Sequence, residues 1–409
     1  MRKTSFIFLI GYLSMLGLQS QAVESERLKV MIDCRGCDQT YIRQNITVVD
    51  HVRDLSLADV YILINRTWSG GSVLYQIDLT GKKTFEKVNN NFQFDVSTTL
   101  TDNERRDELV RVISTALSPY LLHTQLSKKI SVELPEVKLE ESIAVAEDPW
   151  NNWVFELSGN LSARSQDTRN EANVSFGAEG DKVTEEWRVR MDMWYNRNSL
   201  IIEEDSSTFT SLRENRFVGG SIVNSWSDHW SIGFFTSYMS NTVSNIGKRN
   251  ELSPAIEYSF FNYKDVLTRE VTLSYRVGYM YQEYLETTIF DTDFDHLLNQ
   301  NLSLNIRFRK PWGTVSSRIN GNMFLNQLEN YRISMDNFFS VRVFQGFSVR
   351  FNGDFSIIRD QVNLAKGDAS LEDVILQQRA IATGYQLNVG VGLSYTFGSI
   401  YNNILNTRL

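Results

Sequence analysis

Three sets of residues in this chain have the types and spacing to do chemistry. The first is a pair of thiols. Cys34 and Cys37 are the only cysteines, spaced Cys-x-x-Cys directly after an apolar run at residues 28–32. At the end of a strand this spacing suits disulfide exchange, because a following helix N-terminus lowers the first thiol's pKa. No proline lies between Cys37 and Pro119, so the proline that thioredoxin-like folds set opposite the motif is missing. A metal site needs a second ligand pair, and His51, His123, His229 and His296 show no ligand spacing near the thiols. The pair is therefore expected to be a structural disulfide in an oxidising compartment, with no metal and no cofactor. The second set is Asp291-Thr292-Asp293-Phe294-Asp295, which opens like a calcium loop. His296 then stands in place of the glycine and Leu302 in place of the bidentate glutamate, so the match fails. The third is a series of arginines, Arg188, Arg190, Arg276, Arg307, Arg309, Arg318, Arg342 and Arg350, with Glu257, Asp336 and Asp354 at positions of the same parity. Arginine stays charged at any physiological pH, so such a set either pairs with carboxylates or makes a positive wall that favours anions.

The elements that position the arginines read as strands. Val271, Leu273, Tyr275, Val277, Tyr279 and Tyr281 interleave with Thr272, Ser274, Arg276 and Gly278, and Leu302, Leu304, Ile306 and Phe308 with Ser303, Asn305, Arg307 and Arg309. A period of two sustained over about ten residues marks a strand with one apolar and one polar face, long enough to cross a bilayer when tilted. The pattern places about twelve strands, near residues 153–164, 170–179, 186–197, 212–224, 229–240, 250–261, 269–282, 298–309, 313–325, 331–343, 347–358 and 380–397. Connections alternate between short ones and longer ones at 199–211, 283–297 and 359–379, as in bacterial barrels with short periplasmic turns and long outer loops. Trp153, Trp187, Tyr195, Trp226, Trp230, Tyr238, Tyr281, Tyr331, Tyr395 and Phe397 fall at apolar-face strand ends, where aromatic girdles sit. The expected fold is an all-β transmembrane antiparallel barrel at residues 151–398, preceded by a small α+β domain. These arginines and acids would face its lumen, and outer-membrane lipids and the barrel-assembly machinery would be its partners.

The α+β domain spans residues 23–125. Apolar runs at 28–32 and 60–64, alternation at Val73, Tyr75, Ile77 and Leu79 after Gly70-Gly71, and Phe92, Phe94 and Val96 predict four strands. Thr101 and Glu104 form a capping box before Leu109, Val112, Ile113, Ala116, Leu117, Tyr120 and Leu121 at helical spacing, and a shorter helix is expected near 39–46. Residues 1–22 read as a secretory signal, with Arg2 and Lys3 before an apolar stretch at 6–18 and Ser20-Gln21-Ala22 at the end. That puts the domain in the periplasm of a Gram-negative cell and the barrel in the outer membrane, with residues 126–150 as a linker holding one strand at 130–134 and 399–409 as a periplasmic tail. Removal of Arg2 and Lys3 takes the net charge from -8 to -10. An acidic chain lacks the basic face that phosphate backbones require, which excludes nucleic acid.

Residues 33–44, Asp33-Cys34-Arg35-Gly36-Cys37-Asp38-Gln39-Thr40-Tyr41-Ile42-Arg43-Gln44, with Val52-Arg53-Asp54 and Ala58-Asp59-Val60, resemble the opening of a group of uncharacterised envelope proteins of Bacteroidota-type bacteria. There a cysteine-containing periplasmic domain precedes an outer-membrane barrel. The closing Tyr401-Asn402-Asn403-Ile404-Leu405-Asn406-Thr407-Arg408-Leu409 is similar to that group's tail, with Thr407-Arg408-Leu409 where Pro-Arg-Phe is expected. The resemblance implies an architecture and carries no activity. His229-Trp230-Ser231 resembles the His-x-Ser pair of outer-membrane phospholipases, but alternation turns both side chains away from lipid beside a short turn, where that family's site does not lie. The remaining readings are a narrow passive channel for small anionic solutes and a non-conducting anchor or scaffold for the periplasmic domain and its protein partner. No enzyme is expected. Thiol labelling of the mature chain without reductant is expected to leave Cys34 and Cys37 unmodified, and rapid labelling of either would refute the disulfide.

Overall fold

The computed structural model describes residues 27–129, 148–204, 207–367 and 380–399. The expected signal at 1–22, the linker strand at 130–134 and the tail beyond 399 lie outside the described residues.

The N-terminal unit contains β1 (Lys29–Cys34), α1 (Gln39–Asn45), β2 (Asp50–His51), β3 (Val60–Ser69), β4 (Ser72–Gly81), β5 (Asn89–Ser97) and α2 (Asp102–Leu121). Its sheet runs β2-β1-β3-β4-β5, with β1 parallel to both neighbours and the rest antiparallel. Strand alternation decides which face the helices cover. Val60, Ile62, Ile64, Val73, Tyr75, Ile77 and Leu79 pack under α2, whose Leu109, Val112, Ile113, Ala116, Leu117, Tyr120 and Leu121 form the apolar stripe read from the sequence. Both helices begin on capping side chains. Asp38 accepts from the Tyr41 amide at 2.9 Å, and Thr101 and Glu104 exchange bonds as predicted, a cap typically worth about 1 kcal/mol. The opposite sheet face carries Met31, Tyr61 and Leu63 with Val52 and Ala58, and it is turned toward the second unit.

That second unit is one antiparallel sheet of twelve strands in sequential order. They are β6 (Trp153–Gln166), β7 (Arg169–Val183), β8 (Trp187–Glu204), β9 (Ser207–Ser225), β10 (Trp230–Asn241), β11 (Ile246–Ser259), β12 (Arg269–Tyr284), β13 (Phe294–Lys310), β14 (Gly313–Phe324), β15 (Gln327–Phe344), β16 (Phe347–Ile358) and β17 (Tyr385–Tyr395). Each lies where the alternation predicts it. Among the described residues no ladder joins β6 to β17, so these are the two edges. The strand number is even, so β6 starts and β17 ends at the same end of the sheet.

The loop lengths correct the sequence reading. The expected long connection at 199–211 is largely strand: β8 and β9 continue to Glu204 and Ser207 with Leu200 opposite Ser211 and Ile202 opposite Phe209. The connection at 283–297 shrinks to 285–293 in the same way. Backbone pairing continues past the apolar pattern because ladder hydrogen bonds do not depend on which side chains the strand carries. The connection after β16, described at residues 359–367 and 380–384, lies at the end opposite the chain's entry.

His51 is 4% exposed, and its Nε2 lies 2.9 Å from the Ile46 carbonyl. Burial lowers its pKa below the ordinary histidine value. The unfolded chain therefore takes up a proton that the folded one resists, and the unit's stability falls as pH drops below about 6.5. Amide exchange of α1 and β2 is expected to quicken between pH 7 and pH 5 in the full chain, and His51→Gln is expected to flatten that dependence. A wild-type profile as flat as the variant's would refute it.

Candidate functional site

Register assigns each strand's side chains to one of two faces. Arg188, Val223, Gly233, Ala255 and Arg276 form one continuous cross-strand row, and Arg318, Asp336 and Asp354 are opposite one another in a second. Following the ladders puts Arg188, Arg190, Arg276, Arg307, Arg309, Arg318, Arg342, Arg350, Glu257, Asp336 and Asp354 all on one face. The other face is apolar and open: Leu157, Phe176, Met193, Ile222, Phe234, Leu252, Leu273, Leu302, Ile333, Phe355 and Leu393 are all exposed.

The arginines have different partners. Arg188 bonds Asp181 at 2.8 Å, and Arg307 bridges Glu270 at 3.0 Å. Arg318 lies opposite Asp336 but donates to Asn305 Oδ1 at 2.8 Å, and Arg276 lies 3.7 Å from the centroid of the Phe235 ring. Arg309 reaches the Leu267 carbonyl at 3.4 Å. Glu257 accepts from the Tyr263 hydroxyl at 3.3 Å. Arg190 lies opposite Asp181 and Ser221, and Arg350 opposite Ser340 and Gly392. The face is not uniformly polar, since Trp194 and Phe217 stack on it at 5.3 Å.

Both ends of this face are covered. At the long-loop end the segment after β16 folds inward, and Val362 packs on Met280, Leu297 and Phe324, all of the inner parity. Ile289 donates to the Leu364 carbonyl at 2.8 Å, Lys366 to Thr287 at 2.8 Å and Ala380 to Val243 at 2.9 Å, so the segment is tied to two neighbouring connections. Arg332 grips Asp360 at 2.8 Å beside it. Three apolar residues, Val362, Leu364 and Ala365, in an otherwise polar stretch were the only sequence signal for this cover.

The N-terminal unit covers the short-turn end at two points. The first is the Cys34–Cys37 turn. The two sulfurs are bonded, with Cα atoms 5.7 Å apart, and the residues flanking Cys34 reach the sheet. Asp33 bridges Arg342 at 3.0 Å while accepting from Tyr61 at 2.8 Å, and Arg35 stacks 4.7 Å from the Phe338 ring centroid on the polar face. Burial pushes the Tyr61 hydroxyl well above its ordinary pKa, so it remains a donor to Asp33. The second is the β3–β4 hairpin. Gly70 and Gly71 have φ of 55° and 73°, the positive values that a tight two-residue turn demands. The Gly70 amide donates to Asp181 at 3.3 Å, and a Cβ on Gly71 would collide with the Val154 side chain.

The remaining sequence candidates are engaged elsewhere. His229 Nδ1 lies 2.7 Å from the Ser259 carbonyl and Ser231 Oγ 3.1 Å from the Tyr263 hydroxyl, so the two do not bond each other. Asp291 pairs with Lys366, Asp293 accepts from Thr287 at 2.7 Å and Asp295 from Tyr284, so the three carboxylates point to separate partners. No family model matches the chain, and no curated protein matches it in sequence.

Gly71→Val is expected to push the hairpin off Val154 and loosen the cover. Amide exchange should rise severalfold in the β3–β4 turn and around residues 311–314, with β10 and β11 unchanged. Unaltered exchange at both places would refute the docking.

Proposed function

We propose that the chain is an integral outer-membrane β-barrel whose polar interior is a narrow path for small anions, with the N-terminal unit closing its periplasmic mouth. The observation that carries this reading is the exposed apolar face. A continuous apolar surface across twelve strands far exceeds the few hundred Å2 that soluble monomers expose, and hydrocarbon is the solvent that fits it. On β8 the outward residues are apolar or aromatic from Trp187 to Tyr195, then turn to Arg197, with Glu214 and Arg216 beside it on β9. A band of about nine residues is close to what a tilted strand needs to cross. Unpaired edges cost several kcal/mol per peptide group in lipid, so the proposed barrel requires the two edges, β6 and β17, to pair; as first and last of an even meander they would do so antiparallel. The resemblance of residues 33–44 to Bacteroidota-type envelope proteins agrees with this compartment.

Transport of anions rests on the arginines of β12 to β16, which outnumber the acids on that wall. A second reading, a non-conducting anchor that holds the N-terminal unit at the membrane, is favoured by the Val362 cover, since it leaves the polar face closed at both ends.

Membrane fractionation and heat-modifiable migration on a denaturing gel test the barrel, and recovery of a soluble periplasmic protein would refute it. Planar-bilayer conductance of the mature chain, with and without residues 23–150, separates the two functions. Anion-selective current that appears or grows on deletion supports a mouth closed by the N-terminal unit, and silence in both supports the anchor.

A further inference from the structure

Between the Cys34–Cys37 turn and the sheet lies a cleft of 580 Å3, a volume typical of small-molecule sites. Its lining includes six cationic side chains, Arg35, Arg66, Arg307, Arg309, Lys310 and Arg342. Asp33 is the one acid among its lining residues. Asp33 is already held by Arg342 and Tyr61, and Glu270, just beyond the cleft, occupies Arg307. Among the described residues no carboxylate lies within ion-pair distance of Arg35, Arg66, Arg309 or Lys310. The Arg66 guanidinium lies over Gly36, whose φ of 81° and missing Cβ make room for it. Asn65 supplies the independent sign of a ligand. It lines the same cleft and is 6% exposed, and its buried Nδ2 has no acceptor. A buried amide N–H without a partner is destabilising, and an oxygen-bearing ligand in the cleft removes that cost.

We infer that this cleft is a binding site for a compact anion of at least two negative charges, an organic phosphate in class. The guanidinium groups of Arg35, Arg66 and Arg309, which no carboxylate holds, offer planar forks that match phosphate oxygens, Lys310 adds a point charge, and the Asn65 amide adds a neutral donor. The lining cations exceed the acid by five, so a monovalent ion leaves most of that charge uncompensated. Two of these cations, Arg35 and Arg66, come from the small unit and four from the sheet. A bound anion therefore also holds the small unit against the mouth.

The inference goes beyond conduction, because it requires the small unit to be docked but not that the barrel conduct. The test is calorimetric titration of the purified mature chain in detergent with sodium pyrophosphate at constant ionic strength, and with chloride as control. Saturable binding of one pyrophosphate per chain is expected. The Arg66→Gln/Lys310→Gln double variant should weaken it at least tenfold, as should Asn65→Asp, while Arg111→Gln on the far face of α2 should leave it unchanged. Heat-modifiable migration shows that each variant is folded. Absence of saturable binding to the folded wild-type chain overturns the site, as does equal loss in Arg111→Gln or undiminished binding in the double variant. Binding by a chain that carries no current keeps the site and removes the channel; current without saturable binding does the reverse.

Discussion

Register is the constraint on which the large sheet depends. Each ladder pairs residues of like parity, so a single polar or apolar choice on one strand is repeated on its neighbour, and the two faces stay separate from β6 to β17. A slip of one residue in any ladder would carry arginines to the apolar side and leucines to the polar side for every strand beyond it. The polar groups thus do more than line a surface. Pairs such as Asn301 with Asn322 at 2.8 Å and Ser303 with Asn320 at 2.7 Å bond across adjacent strands and are lost if the register shifts.

The small unit relates to this sheet through a division of labour between its two faces. The face under α1 and α2 holds the apolar core. The other face, with Tyr61, Leu63 and Asn65, is left to meet the large sheet. The disulfide sits at the hinge of this arrangement. Bridging Cys34 to Cys37 fixes the turn between β1 and α1, and that same turn presents Asp33 and Arg35. A covalent brace is thereby spent on orientation of two surface side chains rather than on closing a long loop, for which a separation of three residues gives little entropy.

The strands were legible because a sheet with one apolar and one polar face imposes period two, and all twelve lie where that period put them. Their ends were not. Beyond Tyr195 the outward positions of β8 and β9 turn to Arg197, Glu214 and Arg216, so hydropathy falls silent while pairing goes on. The parity of the arginines could be read from spacing, but not their partners: Asp33 is 309 residues from Arg342. The basic cleft was hidden for the same reason, since Arg66 and Lys310 acquire a common purpose only when two units are brought together.

The segment after β16 couples the last strand to the middle of the sheet. It leads directly into β17, the last strand, and it is threaded against Val243 of one connection and Thr287 and Ile289 of another. Its apolar contacts, Met280, Leu297 and Phe324, exist only once β12, β13 and β14 are paired. The described parts of the segment, 359–367 and 380–384, therefore tie the approach to β17 to the middle strands as well as to β16. A change at Val362 thus reaches two places at once, the packing over β12, β13 and β14 and the lead-in to β17.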